Sequence, residues 1–182
     1  MKITLGISGS IAAYRMPNLI SQMVKQGHEV KTILTEPARA FVTPQALAVM
    51  SNHACHTDAD EWHNQAGVLH IELARWCDLF LIAPLSANTL AKLAAGMCDN
   101  LLTSAVRALK ERPLLLAPAM NTAMWDNPFT AQHLDRLRRI YQAEIIPPVS
   151  KVLADGEEGM GALAEDAQIL AAVNRYEDLK SI

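Results

Sequence analysis

Asn121 lies in the octapeptide Pro118-Ala119-Met120-Asn121-Thr122-Ala123-Met124-Trp125, which follows directly on the apolar run Leu114-Leu115-Leu116-Ala117. A strand that empties into a loop holding one amide, two thioethers and an indole is chemically specialised. An Asn side chain offers both donors and acceptor to a planar carboxylate or amide. Methionine and tryptophan at a strand end also serve as core filler, so the reading of this loop depends on the rest of the chain.

Other strand ends carry chemistry of their own. After the first apolar run comes Gly6-Ile7-Ser8-Gly9-Ser10-Ile11-Ala12-Ala13, whose small residues let backbone N–H groups approach an anion at a helix start. It has neither GxGxxG spacing nor a Walker lysine, and Ser-Gly-Ser also serves as a plain capping turn. After the second run, Thr35 offers a hydroxyl to a ribose or ribityl chain, while Glu36 beside it keeps an adenosine reading open. Pro84-Leu85-Ser86-Ala87-Asn88-Thr89 bunches three uncharged polar groups at the start of a helix over Leu90–Ala95, which suits a heterocycle or phosphate better than simple capping. Gly96 to Asn100 is a further polar break that can face the same crevice. His70 sits in the short helical segment Leu69–Trp76, and an imidazole titrating near neutrality is a candidate acid, base or electrostatic partner.

The elements that must position these residues follow from hydrophobic patterning. Apolar runs at Ile3–Ile7, Val30–Leu34, Leu79–Ala83 and Leu114–Ala117 lack strict alternation, as strands buried on both faces do. They alternate with helical segments, which predicts parallel βαβ units in an α/β doubly wound sheet whose ligands sit beyond the strands' carboxyl ends. The first helix is expected over Ile11–Gln26, opening at Ser10 and stopping at Gly27, with Pro17 marking either a kink or a late start. A stretch rich in Pro and Gly, 147–161, reads as a mobile flap, a helical pattern resumes over Ala162–Val173, and residues 176–182 read as a tail prone to fraying. Between Ser51 and Gly67 the chain holds His53, His56, His63 and several acids without helix or strand spacing, so it reads as a solvated connection with no metal site.

Bulk properties narrow the function further. The 182 residues, 51% hydrophobic and 19% charged, suffice for one domain with a sizeable core. A net charge of −3 provides no basic field for a phosphate backbone, so nucleic acid is not an expected partner. Cys55, Cys77 and Cys98 form neither a disulfide framework nor a zinc pattern. With no secretion signal and no apolar run of membrane-spanning length, a cytoplasmic protein without membrane contact is expected.

Read jointly, Gly9-Ser10-Ile11-Ala12-Ala13, His70-Ile71-Glu72-Leu73, Pro84 to Thr89 and Pro118 to Trp125 resemble the flavin-containing cysteine decarboxylases. That family acts on phosphopantothenoylcysteine in coenzyme A synthesis or on C-terminal cysteines of ribosomal peptides. The last two segments, with Asp126-Asn127-Pro128-Phe129-Thr130 following, are most similar to the coenzyme A branch. The resemblance runs from about Lys2 to Val173. It implies a Rossmann-like (flavodoxin-like) single domain over 1–175, a homotrimer or higher assembly of trimers, and FMN bound at a subunit interface. FMN phosphate is then expected near Gly9, Ser10 and Ile11, ribityl or ring contacts at Thr35, Ser86, Ala87, Asn88 and Thr89, and further contact at Ala119 and Met120. His70 is implied to be catalytic and Asn121 to hold the substrate carboxylate, with Met124 and Gly156 beside the substrate.

The chemistry accounts for these types. Loss of CO2 from a cysteine carboxylate leaves a carbanion with no electron sink, and oxidation of the carbon bearing sulfur to a thioaldehyde creates one. The product is an enethiolate, which a returned hydride and one proton convert to the saturated aminoethanethiol. Coenzyme A branch enzymes resemble one another in a Cys-Gly-x-x-Gly-x-Gly flap that supplies the proton, and here the flap reads Asp155-Gly156-Glu157-Glu158-Gly159-Met160-Gly161. Asp155 replaces the cysteine and is a candidate proton donor if desolvation raises its pKa. The expected reaction is 4'-phosphopantothenoylcysteine to 4'-phosphopantetheine. Alternatives are oxidative decarboxylation of a peptidyl-cysteine to an enethiol, a non-catalytic FMN-binding regulatory subunit, and a plain nucleotide-binding module.

Overall fold

A computed structural model describes residues 1–62, 67–152, 156 and 158–180, with side chains up to residue 177. Its strands are β1 (Lys2–Ile7), β2 (Glu29–Leu34), β3 (Cys55–His56), β4 (Leu79–Leu85), β5 (Leu114–Pro118), β6 (Glu144–Ile145), β7 (Val149–Val152) and β8 (Glu158–Ala162). The helices are α1 (Met16–Lys25), α2 (Pro44–Ser51), α3 (Asp58–Glu61), α4 (Leu69–Trp76), α5 (Ala87–Ala95), α6 (Leu101–Arg107), α7 (Thr122–Trp125), α8 (Pro128–Tyr141) and α9 (Asp166–Lys180), with 3-10 turns at Ile11–Arg15 and Glu36–Ala40.

Six strands pair in the order β3-β2-β1-β4-β5-β6, every pairing parallel. This is the doubly wound Rossmann order, which reverses between β1 and β4 and opens a crevice there. All seven residues of β4 are buried. The period of two along each strand divides their side chains between two cores. Leu79, Leu81, Leu115 and Ala117 join Leu19, Met23, Leu47, Ile169 and Val173 on the face covered by α1, α2 and α9. Phe80, Ile82, Leu114 and Leu116 join Leu73, Leu93, Leu102, Val106 and Leu137 on the face covered by α4, α5, α6 and α8. On that second face the Thr4 hydroxyl donates to the Leu73 carbonyl at 3.1 Å, fixing α4 to the sheet.

Several elements depart from the sequence expectation. The segment after Ser10 begins as a 3-10 turn, and α1 starts late, as one of the two readings of Pro17 had it, with Pro17 in its first turn where a missing N–H costs no hydrogen bond. The helix expected from Leu90 begins at Ala87 instead, because the Ser86 hydroxyl accepts from Thr89 N at 3.3 Å and caps it. Ala162 ends β8, and the last helix opens at Asp166 and continues to Lys180 where fraying was expected, with the Tyr176 hydroxyl donating to Glu144 at 2.8 Å. The flap region carries an antiparallel hairpin, β7 with β8. Asp155 and Glu157 lie outside the described residues, as does His63. The described part of 51–67 is more than a solvated connection: it holds β3 and α3. Among the described residues no group of potential ligands could hold a metal ion, and no helix is long and apolar enough to cross a membrane.

Candidate active site

A cleft of 710 Å³ opens at the carboxyl ends of β1, β4 and β5. Gly9, Ser10, Ile11 and Ala12 form its floor. Ser10 N donates back to Ser8 O at 2.8 Å, whereas the N–H groups of Ile11 and Ala12, in the first turn of the 3-10 segment, have no acceptor within it. Gly9 is small for a packing reason: a Cβ there would stand 2.7 Å from the Pro37 side chain. Ser8, buried beneath, staples two strand ends by donating to Pro84 O at 2.8 Å and accepting from Ser86 N at 2.8 Å.

Ser86, Ala87 and Asn88 at the start of α5 form the second wall. Thr89 lies behind it, buried, with its hydroxyl paired to Ser86 at 3.2 Å. The polar bunch is therefore partly a helix cap, and Asn88 is the member exposed at the cleft. Thr35 is likewise outside the cleft: it is buried, and its hydroxyl donates to Ile7 O at 3.2 Å.

The third wall is the loop after β5, with Ala119, Met120, Asn121 and Met124. Asn121 caps α7, its Oδ1 accepting from Ala123 N at 2.8 Å. That bond identifies the acceptor end of the amide, so the Nδ2 end carries the donors, the polarity a carboxylate needs.

The fourth wall comes from segments far away in the chain. Lys151, Val152 and Gly161 of the hairpin line the cleft together with Leu163, Glu165 and Arg15. Gly161 has φ +147 and sits where a Cβ would be 2.2 Å from Met120 O, and its own carbonyl accepts from Met120 N at 2.9 Å. Gly159 is similarly close to Thr122. Arg15 binds Leu163 O at 3.1 Å, Ala164 O at 3.0 Å and Asp166 at 2.6 Å, while Lys151 pairs with Glu165. The Lys151 hydrogen bond holds the Glu165 carboxyl below its usual range. Nothing local in the sequence marks Arg15 or Lys151, because their partners are more than a hundred residues away in the case of Arg15 and across the hairpin for Lys151.

Besides Thr35 and Thr89, two further expected residues lie apart. Gly156 is exposed, with φ +86, and does not line the cleft. His70 does not line it either, and its Nδ1 is bound to the carboxylate of Glu61. Burial of Glu61 in what reads from sequence as a solvated acidic stretch has no local signal.

As a container, the cleft combines apolar lining from Ile11, Ala87, Met120, Val152 and Leu163 with polar and charged groups at Ser10, Asn88, Asn121, Arg15, Lys151 and Glu165. Apolar lining interspersed with such groups suits a flat heteroaromatic ring carrying a polar tail.

The model of the family described as Flavoprotein matches residues 1–176. Phosphopantothenoylcysteine decarboxylase of Mus musculus is 47% identical over 178 residues, covering 94% of this chain and 85% of that protein. A probable thymidylate synthase of Schizosaccharomyces pombe is also 47% identical, and there the chain spans only 28% of the longer protein. Among solved structures, a cysteine-to-serine mutant of phosphopantothenoylcysteine decarboxylase complexed with pantothenoylaminoethenethiol superposes with a TM-score of 0.90 at 44% identity, covering 97% of this chain and 98% of that one. The FMN-binding protein AtHal3 gives 0.85 at 44% identity, with 96% and 95% covered.

Proposed function

The chain belongs to the flavoprotein family, and from that premise we propose that it is an FMN-dependent decarboxylase of a cysteine carboxylate, with phosphopantothenoylcysteine as substrate. The observation that carries this reading is the placement of Asn121, its acceptor oxygen held by Ala123 N, in the lining of a cleft that also takes in the loops after β1 and β4.

FMN would lie with its phosphate by Gly9, Ser10 and Ile11 and its ring by Ala87, Asn88, Ala119 and Met120, and when bound it supplies a hydride acceptor and later donor. Thr35 and Thr89 support the strand-end loops from behind. Asn121 orients the departing carboxylate through its Nδ2 donors, with Met124 beside it. His70 takes up or returns a proton at the reacting sulfur end. His70 does not line the cleft of its own chain, so in this reading it serves the cleft of a neighbouring copy, and a homotrimer with sites between copies is part of the proposal. Leu163, Val152 and Gly161 line the cleft on the hairpin side.

A second reading, release of the product as an enethiol from a peptidyl-cysteine, is favoured by Asp155 in place of the flap cysteine. Mass spectrometry after incubation of the FMN-loaded protein with phosphopantothenoylcysteine and with a cysteine-ended peptide separates the two. A loss of roughly 44 mass units marks decarboxylation alone and roughly 46 marks decarboxylation with net oxidation. No mass change with either substrate refutes both.

A further inference from the structure

Glu61 ends α3 and is buried, yet it is nine residues before His70 and on a different helix. Both of its carboxylate oxygens are engaged by one residue. Oε1 binds His70 Nδ1, and Oε2 accepts from the His70 backbone N at 3.2 Å, an N–H in the first turn of α4. The carriers are themselves anchored. Asp60 closes the start of α3 by accepting from Thr57 N at 2.7 Å and Thr57 Oγ1 at 2.8 Å. Asp58 accepts from Leu101 N at 2.9 Å, tying α3 to the start of α6, and Thr4 ties α4 to β1. The His70 side chain is 24% exposed while that of Glu61 is 7% exposed. The pair therefore has a buried anchoring end and an accessible imidazole.

We propose that Glu61 is the positioning residue of His70: it holds the Nδ1–H form of the ring in one orientation, so that Nε2 is the atom available for proton exchange. This rests on the role given to His70 above. The physical reason is that a carboxylate offers only acceptors, so a ring nitrogen facing it must carry a proton. Neutral imidazole then has its lone pair on Nε2, and an acceptor there is what taking a thiol proton requires. The backbone bond to Oε2 removes the rotational freedom that would let the carboxylate swing away. Glu61 of the acidic stretch before His70 is thus part of the site's machinery, although none of that stretch's described residues lines the cleft.

Glu61→Gln tests this with nearly unchanged shape. A backbone N–H is always a donor, so the Gln oxygen must face His70 N and its NH2 must face Nδ1. Nδ1 then has to accept, and the proton moves to Nε2. With nitrogen-15-labelled histidine in the FMN-loaded protein at alkaline pH, and a His70→Asn spectrum for assignment, the wild type should show a protonated Nδ1 and a bare Nε2. Glu61→Gln should show the reverse, with kcat lowered at least tenfold and KM, FMN occupancy and Tm unchanged. Glu61→Asp, which keeps both acceptors, should retain the wild-type tautomer and recover part of kcat. A proton on Nε2 in the wild type overturns the proposal, as does Glu61→Gln that keeps the wild-type tautomer or turnover. Loss of kcat only in step with Tm or FMN occupancy also overturns it, since that is helix capping alone. The tautomer is read without substrate, so its reversal in a protein that turns over neither substrate would sink the functional reading and leave the pairing intact.

Discussion

Asn121→Asp separates the two tasks of one side chain. In the structure Oδ1 accepts from Ala123 N at 2.8 Å and caps α7. Asp caps a helix about as well as Asn, so the loop and its fold should persist. What changes is the other end of the group: two N–H donors become a carboxylate oxygen. A charge-assisted hydrogen bond to the substrate carboxylate, about 1.5–3 kcal/mol, is lost. A like-charge contact at about 4 Å adds between about 1 kcal/mol in water and about 4 kcal/mol near a protein surface. Asn121 is half-buried, so the upper part of that range applies. With about 2.5–4 kcal/mol for that contact, the total of about 4–7 kcal/mol corresponds to a loss of roughly three to five decades in kcat/KM at about 1.4 kcal/mol per decade. The assay is product formation by mass spectrometry, with flavin absorbance and Tm as controls for cofactor and fold. A kcat/KM within tenfold of wild type, with FMN bound and Tm unchanged, would refute the assignment of Asn121 to the carboxylate.

Gly161→Ala forces a Cβ to 2.2 Å from Met120 O at φ +147. The strain, about 1–3 kcal/mol, adds to about 1 kcal/mol for the Met120 N to Gly161 O bond. Because Lys151, Val152 and Glu158 are exposed, the relief is local undocking of the hairpin. FMN affinity should fall severalfold with little change in Tm, and an unchanged FMN Kd in titration would count against the hairpin as a cleft wall. A third prediction concerns pH. Burial is the main cause lowering the pKa of His56 from 6.5, opposed by Asp60 and Glu72 and assisted by Lys31 and His53. Below 6.5 the unfolded state binds the proton more readily, so this contribution to stability is present above that pH and is lost as pH falls through the window beneath it. The fall in Tm from neutral to mildly acidic buffer should be smaller in His56→Gln than in wild type; equal falls would refute it.

Much of the fold is legible in the chain. Unbroken apolar strands separated by helical segments leave a doubly wound parallel sheet as the arrangement that buries both faces, and strand-end loops rich in Ser, Gly and Asn then lie in the crevice by topology. That is why Gly9 to Ile11, Ser86 to Asn88, and Ala119, Met120, Asn121 and Met124 can be placed along the cleft from local sequence: each group sits directly after its strand. The tertiary structure decided the rest, because it concerns which distant segments meet. Thr35 and Thr89 have hydroxyls suited to a ligand, but hydrogen bonds to Ile7 and Ser86 turn them inward. Arg15 and Lys151 complete the cleft through contacts that no local pattern records, whereas the flap that carries Lys151 is marked by its Pro and Gly content. Glu61 reads as one more surface acid until the fold buries it against His70, since a carboxylate becomes a positioning group only when two separate helices present it to its partner and exclude the water that would otherwise solvate it.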